Sequence, residues 1–108
     1  MKFNSIEDTY TLNNGVKIPI IGFGTWQTPA GKVATDAVLA ALDAGFTHID
    51  TAEMYGNEKS IGQAVKASGI ARSDLFITSK LDNQAHTYEL ATQALDRSLS
   101  DLQTDYLD

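Results

Sequence analysis

Short apolar runs, each followed by a stretch in which apolar residues fall at helical spacing, recur along this chain at an interval of roughly 30 residues, the length of one strand–helix unit. The runs are residues 20–23, ending in Gly24-Thr25, residues 46–49, closed by Asp50, and residues 75–78, closed by Lys80. Between them, residues 32–44 bring Ala34, Ala37, Val38, Ala41 and Leu42 to one face, and Gly45 stops that helix. Asn57 reads as the N-cap of a second helix that carries Ile61, Ala64 and Val65 and stops near Gly69. Residues 87–102 predict a third helix with Tyr88, Ala91, Leu95, Leu99 and Leu102 on its core face, and Tyr106-Leu107 opens a fourth strand. Short buried strands that alternate with amphipathic helices predict a parallel sheet.

Before the first unit, residues 10–12 and 16–18 alternate around Asn13-Asn14-Gly15, a hairpin pattern in which Asn-Gly supplies positive φ. Pro19 ends that ladder, and the first eight residues read as a poorly ordered polar start. A parallel unit of this kind can belong to an open sheet or a closed barrel. Two features favour the barrel. Asp50 and Lys80 each follow a strand, on the end where barrel enzymes keep their chemistry. The first strand–helix connection, Gly22-Phe23-Gly24-Thr25-Trp26-Gln27, has Gln where a dinucleotide fingerprint needs its last Gly. The expected fold is therefore α/β, an incomplete (β/α)8 TIM barrel: an N-terminal hairpin, three βα units and the start of strand four. A whole barrel takes about 250 residues, so the 108 residues read as the N-terminal part of one barrel domain.

Composition narrows the chemistry. There is no Cys, which removes disulfides and thiolate metal sites, and two His leave little for a metal cluster, so no metal is expected. Fourteen acidic against eight basic residues give a net charge of −6, which argues against nucleic acid as a partner. No run predicts a membrane span or a signal segment, so the expected location is cytoplasmic.

The informative stretch is residues 45–62. Asp50 closes one strand, Tyr55 follows in the loop, and Lys80 closes the next strand. Successive strands of a βαβ unit are usually neighbours, so Asp50 and Lys80 can meet and Tyr55 can fold over them. A phenol has a pKa near ~10, and a nearby ammonium lowers it. A carboxylate keeps that ammonium charged and in place. Such a trio can protonate a carbonyl oxygen while something else delivers hydride. The same residues also fit a plain ion pair under a loop.

Residues 45–62 resemble the signature of the aldo-keto reductase family: Asp50-Thr51-Ala52, five residues, Glu58, two residues, Ile61-Gly62. Gly22-Phe23-Gly24-Thr25-Trp26, Thr78-Ser79-Lys80-Leu81, and Ser98-Leu99, Leu102 and Asp105-Tyr106-Leu107-Asp108 are similar to the family's first, third and fourth strand regions, in the right order. The nearest flavour is the bacterial reductases of the 2,5-diketogluconate or methylglyoxal type. The resemblance implies a (β/α)8 barrel that reduces aldehydes and ketones with NADPH. It makes Tyr55 the proton donor, Lys80 the residue that lowers its pKa, and Asp50 the residue that holds Lys80. Gly24, Thr25, Trp26 and Asp50 would border the cofactor, and Trp26 and Met54 the substrate pocket. The implied partner is a small-molecule carbonyl substrate, and the full-length form a monomer.

The chain departs from the family pattern at Thr47, where Arg is usual, and at Asp82, where many relatives have Trp. The family's catalytic His and its adenosine-phosphate site fall beyond residue 108. His48 reads as a core histidine on the Asp50 face of its strand and His86 as a solvated loop residue. Two other readings stand beside the reductase: a truncated barrel fragment with no independent activity, and a barrel used as a binding subunit. Intact Asp50, Tyr55 and Lys80 weigh against the last. The 108-residue chain alone is expected to be inactive, and marginally stable because an unclosed parallel sheet leaves its edges uncovered.

Overall fold

The computed structural model describes residues 3–108: a hairpin, then three parallel strands with helices packed against one face. In the hairpin, β1 (Thr9–Thr11) pairs antiparallel with β2 (Lys17–Pro19) in the register Thr9↔Pro19. The turn has three residues: the Leu12 amide donates to Val16 O at 2.7 Å and the Gly15 amide to Leu12 O at 2.9 Å. Gly15 alone takes positive φ there, at +86°, so the loop is a bulged turn and not the two-residue form that needs two such residues. Pro19 closes the ladder as expected. Of the first eight residues, expected to be a poorly ordered start, 1 and 2 lie outside the described residues; in 4–8 the Asp8 carboxylate accepts from the amides of Asn4 at 2.6 Å and Ser5 at 3.3 Å, which makes a turn.

The three parallel strands are β3 (Phe23–Gly24), β4 (His48–Asp50) and β5 (Phe76–Thr78), in the order β3-β4-β5. Three helices follow them in turn: α1 (Lys32–Asp43), α2 (Glu58–Ser68) and α3 (Tyr88–Leu102). Gly45, at φ +103°, ends α1, and the amides of Gly45 and Phe46 return to Leu42 O at 3.1 Å and Ala41 O at 3.0 Å. Thr87 caps α3 by accepting the Leu90 amide at 3.1 Å.

Alternation along the strands separates two faces. Ile49 and Ile77 turn to the helices and are buried with Val38, Leu42, Ile61, Ala64, Val65, Leu75 and Leu102. His48, Asp50 and Thr78 turn the other way. His48 is half-buried on that face and hydrogen-bonded, with Nε2 3.1 Å from Thr78 Oγ1, Nδ1 3.4 Å from Pro19 O, and its ring edge-on to Phe76. Gly22 lies so close under that imidazole that a Cβ there would sit 3.0 Å from Nδ1.

Two expectations are corrected. The buried stripe of α3 is Ala94, Ser98 and Leu102, while Tyr88 is 90% exposed and Leu95 is also exposed. At Asp101 and Leu102, α3 lies almost on the backbone of α2, where a Cβ on Gly62 would come within 2.4 Å of Asp101 O, and one turn earlier Ser98 meets Glu58 of α2. The fourth strand is not formed among the described residues. Its first pairing is present at Asp108, whose amide donates to Ile77 O at 3.0 Å while its carboxylate accepts the Ile77 amide at 3.0 Å. Arg72 anchors that segment through Thr104, the Tyr106 carbonyl and Asp108, with its guanidinium 4.0 Å from the Tyr106 ring centre. No helix of the described residues is long and apolar enough to cross a membrane.

Candidate active site

Strand register places Gly24, Asp50 and Thr78 in one row at the carboxyl end of the sheet. The chain leaves β5 along this end and brings Lys80 beside Asp50. Lys80 Nζ donates to both Asp50 carboxylate oxygens at 3.0 Å and to Thr51 O at 3.0 Å. Tyr55 arrives on a single 3-10 turn, Glu53–Tyr55, which ends at Gly56 with φ +69°. That turn hangs from Lys80 itself, because the Glu53 amide donates to Lys80 O at 3.4 Å. The phenolic oxygen then lies 3.3 Å from Lys80 Nζ. The three residues singled out in the sequence therefore form one cluster.

The hydrogen-bond count has a chemical consequence. Lys80 has three N–H donors and no acceptor, so the two Asp50 oxygens share one donor, Thr51 O and the Tyr55 oxygen take the others, and the Tyr55 O–H remains to donate elsewhere. Burial pulls the Lys80 ammonium down, but hydrogen bonds to Asp50 and Tyr55 and their charge interactions outweigh it and hold the group above the ordinary lysine value of 10.5. The Lys80 and Asp50 side chains are 47% and 39% exposed. An ion pair that open contributes at most about 1 kcal/mol to stability, so its consequence is placement of the ammonium.

Around this cluster the other expected residues take different positions. Gly24 is open: an added Cβ would meet nothing within 4 Å, which leaves a smooth floor beside Asp50. Thr25 is fully buried, with its amide donating to Asp50 O at 3.0 Å and its hydroxyl to the same atom at 3.3 Å. Trp26 and Met54 stand exposed, at 67% and 56%. A cleft of about 290 Å³ reaches Lys80 from the α3 side, lined by Glu53, Ser79, Leu81, Ala91, Leu95 and Leu107 among others. His86 is exposed, as expected of a loop residue. No group of three metal-ligating side chains occurs among the described residues.

Two residues matter more than the sequence indicated. Asn57 sits at the N-cap position of α2 but makes no capping bond. Its buried amide donates to Thr25 O at 2.8 Å and Thr28 O at 3.0 Å and accepts from the Thr51 hydroxyl at 3.3 Å. Glu58 is buried in α2 and takes the hydroxyls of Ser79 at 2.7 Å and Ser98 at 3.0 Å, which ties α2 to the end of β5 and to α3. Burial raises its pKa above the usual 4.5, against the two serine hydrogen bonds, with Glu53 and Asp101 adding to the rise. The sequence signals for Glu58 were its place in the signature of residues 45–62 and its position three before buried Ile61, on the apolar side of the helix.

Residues 20–108 match the model of the Aldo/keto reductase family. The glyoxal reductase of Bacillus subtilis is 46% identical over 104 residues, covering 96% of this chain and 38% of its own length. A crystal structure of an aldo/keto reductase from Brucella melitensis superposes with a TM-score of 0.89 at 50% identity, over 94% of this chain and 39% of that one. An aldo-keto reductase of Bombyx mori, solved in complex with NADP, gives a TM-score of 0.86 at 36% identity, over 97% and 37%. The chain thus spans somewhat over a third of the length of these relatives.

Proposed function

The chain belongs to the aldo/keto reductase family, and on that premise we propose that it carries the proton-donating part of a carbonyl reductase site, which uses NADPH to reduce small aldehydes and ketones to alcohols. Residues 1–108 then form the opening part of the barrel domain: the hairpin and the first three strand–helix units. The observation that carries this reading is Lys80 Nζ held at 3.0 Å by both oxygens of Asp50 and at 3.3 Å from the Tyr55 oxygen.

Each residue has a distinct part. Tyr55 gives its O–H proton to the substrate oxygen as that oxygen gains negative charge. The Lys80 ammonium stabilises the negative charge that builds on the phenolic oxygen as its proton leaves. Asp50 balances that ammonium and fixes its position. The smooth floor at Gly24 and the half-open Asp50 carboxylate fit the near end of a nicotinamide cofactor, with Thr25 holding the Asp50 backbone from beneath. That cofactor supplies the hydride when bound. Trp26 and Met54, exposed on the same end, form the rim against which the substrate rests.

The test joins this chain to the remaining part of the Bacillus subtilis relative, giving a grafted barrel, and follows NADPH oxidation with glyoxal. Tyr55→Phe keeps the ring and should bind cofactor normally while losing roughly 10²–10⁴-fold in turnover, the range of general acid catalysis. Lys80→Met should also cripple turnover, and Asp50→Asn should do less damage because it acts through Lys80. Turnover by Tyr55→Phe equal to the unsubstituted graft would overturn the assignment. Parallel runs with NADH test the cofactor preference.

A further inference from the structure

We propose that Asn57 is a positioning residue whose side-chain amide clamps the turn at residues 25–28 and so fixes where the exposed Trp26 stands at the carboxyl end of the sheet. The substrate-facing part of this inference rests on the function proposed above; the clamp itself does not.

The turn needs holding. Its Thr28 amide donates to Thr25 O at 3.2 Å, and Gln27 between them takes φ +59°, a left-handed conformation that a non-glycine side chain adopts at a cost. Trp26 is 67% exposed, so packing of its own ring does little to place it. Its position must come from the backbone of the turn. Asn57 is 1% exposed, and its NH₂ group meets both ends of that turn, Thr25 O at 2.8 Å and Thr28 O at 3.0 Å. Its oxygen takes the Thr51 hydroxyl at 3.3 Å, and the carbonyl of Thr51 is one of the acceptors of Lys80. One buried amide therefore joins the loop after β3 to the end of β4 and to the start of α2.

The residue type follows from that role. Ser, Thr or Asp would cap a helix as well as Asn does. Only an amide offers two donors for two carbonyls and an acceptor on the other side. An aspartate would turn an oxygen toward both carbonyls. The absence of any capping bond from this side chain agrees with a residue held for what lies in the preceding loop.

Trp26 is the only tryptophan, so its fluorescence reads the turn directly. Time-resolved anisotropy of this chain is measured for Asn57→Ala, Asn57→Asp and Thr51→Val beside the unsubstituted chain, with far-UV circular dichroism to check the fold. The clamp predicts a larger nanosecond depolarisation of Trp26 in both Asn57 variants at unchanged helix content, and a smaller change in the same direction for Thr51→Val. In the grafted barrel, Asn57→Ala should raise KM for glyoxal by roughly tenfold, the scale of a lost hydrogen bond or two, with kcat much less affected. Tyr55→Phe should show the opposite split. Unchanged Trp26 depolarisation in a folded Asn57→Ala chain overturns the proposal, as does a loss in kcat with KM unmoved. Should both Asn57 variants fail to fold, Thr51→Val decides by the same reading, and no change in its depolarisation overturns the clamp. Retained turnover in Tyr55→Phe would remove the proton-donor assignment and leave the anisotropy test of Asn57 standing.

Discussion

Gly62→Ala adds one methyl group at the closest approach of two helices. The new Cβ would lie 2.4 Å from Asp101 O and 2.8 Å from both the carbonyl carbon and the Cα of Leu102. A relaxed carbon–oxygen contact is about 3.3 Å, so the backbones must part by close to 1 Å. All three atoms are backbone, and none can rotate away as a side-chain tip would. Parting the helices also loosens Ile61, Ala64 and Leu102, which are buried to within 2% of full enclosure. A gap of that size forfeits a quarter to a half of each dispersion contact it opens, and overpacking costs about 1–3 kcal/mol. Alanine returns about 1 kcal/mol in helix propensity over glycine. With backbone on every side the cost belongs at or above the top of its range, leaving a net loss of about 2 kcal/mol. For a chain this size that lowers the melting temperature by roughly 10 °C. The assay is thermal unfolding followed by far-UV circular dichroism. Gln63→Ala, on the exposed face of the same helix, serves as control and should move stability by no more than about 0.5 kcal/mol. A Gly62→Ala chain that melts at or above the unsubstituted one would refute the close-approach argument.

Glu58→Gln keeps the shape and can keep both serine hydrogen bonds while removing a buried charge. Because the folded-state pKa of Glu58 is raised, its favourable contribution is complete below the ordinary value of 4.5 and is lost as pH rises through the raised value. The stability difference in favour of the Gln variant should thus be larger at pH 7 than at pH 4, measured by urea unfolding of both chains at each pH; a difference independent of pH counts against it. Arg72→Ala removes the bonds to Thr104, the Tyr106 carbonyl and Asp108 together. Amide hydrogen exchange at Asp108 and Ile77, which bond one another, should speed up by at least roughly tenfold while α1 is unaffected, and equal protection in the variant would show that Arg72 does not hold this segment.

The sequence by itself determined the order of elements and the meeting of Asp50 with Lys80. Glycine stops at Gly45 and Gly69 and the strand–helix repeat are local signals, and parallel strands that follow one another lie side by side with their ends together. Tyr55 then needed only a short loop, and the signature in residues 45–62 pointed to the family that the match over residues 20–108 bears out. What the sequence could not decide was the direction in which ambiguous side chains turn. A helical stripe marks a face only to within a wide arc, and both Leu95 and Ala94 lie inside it for α3. The choice of Ala94, Ser98 and Leu102 came from α2, whose Gly62 admits a backbone and whose Glu58 requires a hydroxyl opposite. Asn57 shows the same limit. Its position beside a helix start is visible locally and predicts a cap, but the carbonyls of Thr25 and Thr28 lie 32 and 29 residues away, and only the folded chain brings them within reach of its amide. Local spacing encodes which segments are helix or strand, whereas the partner of a buried polar group is set by whatever the completed packing places beside it.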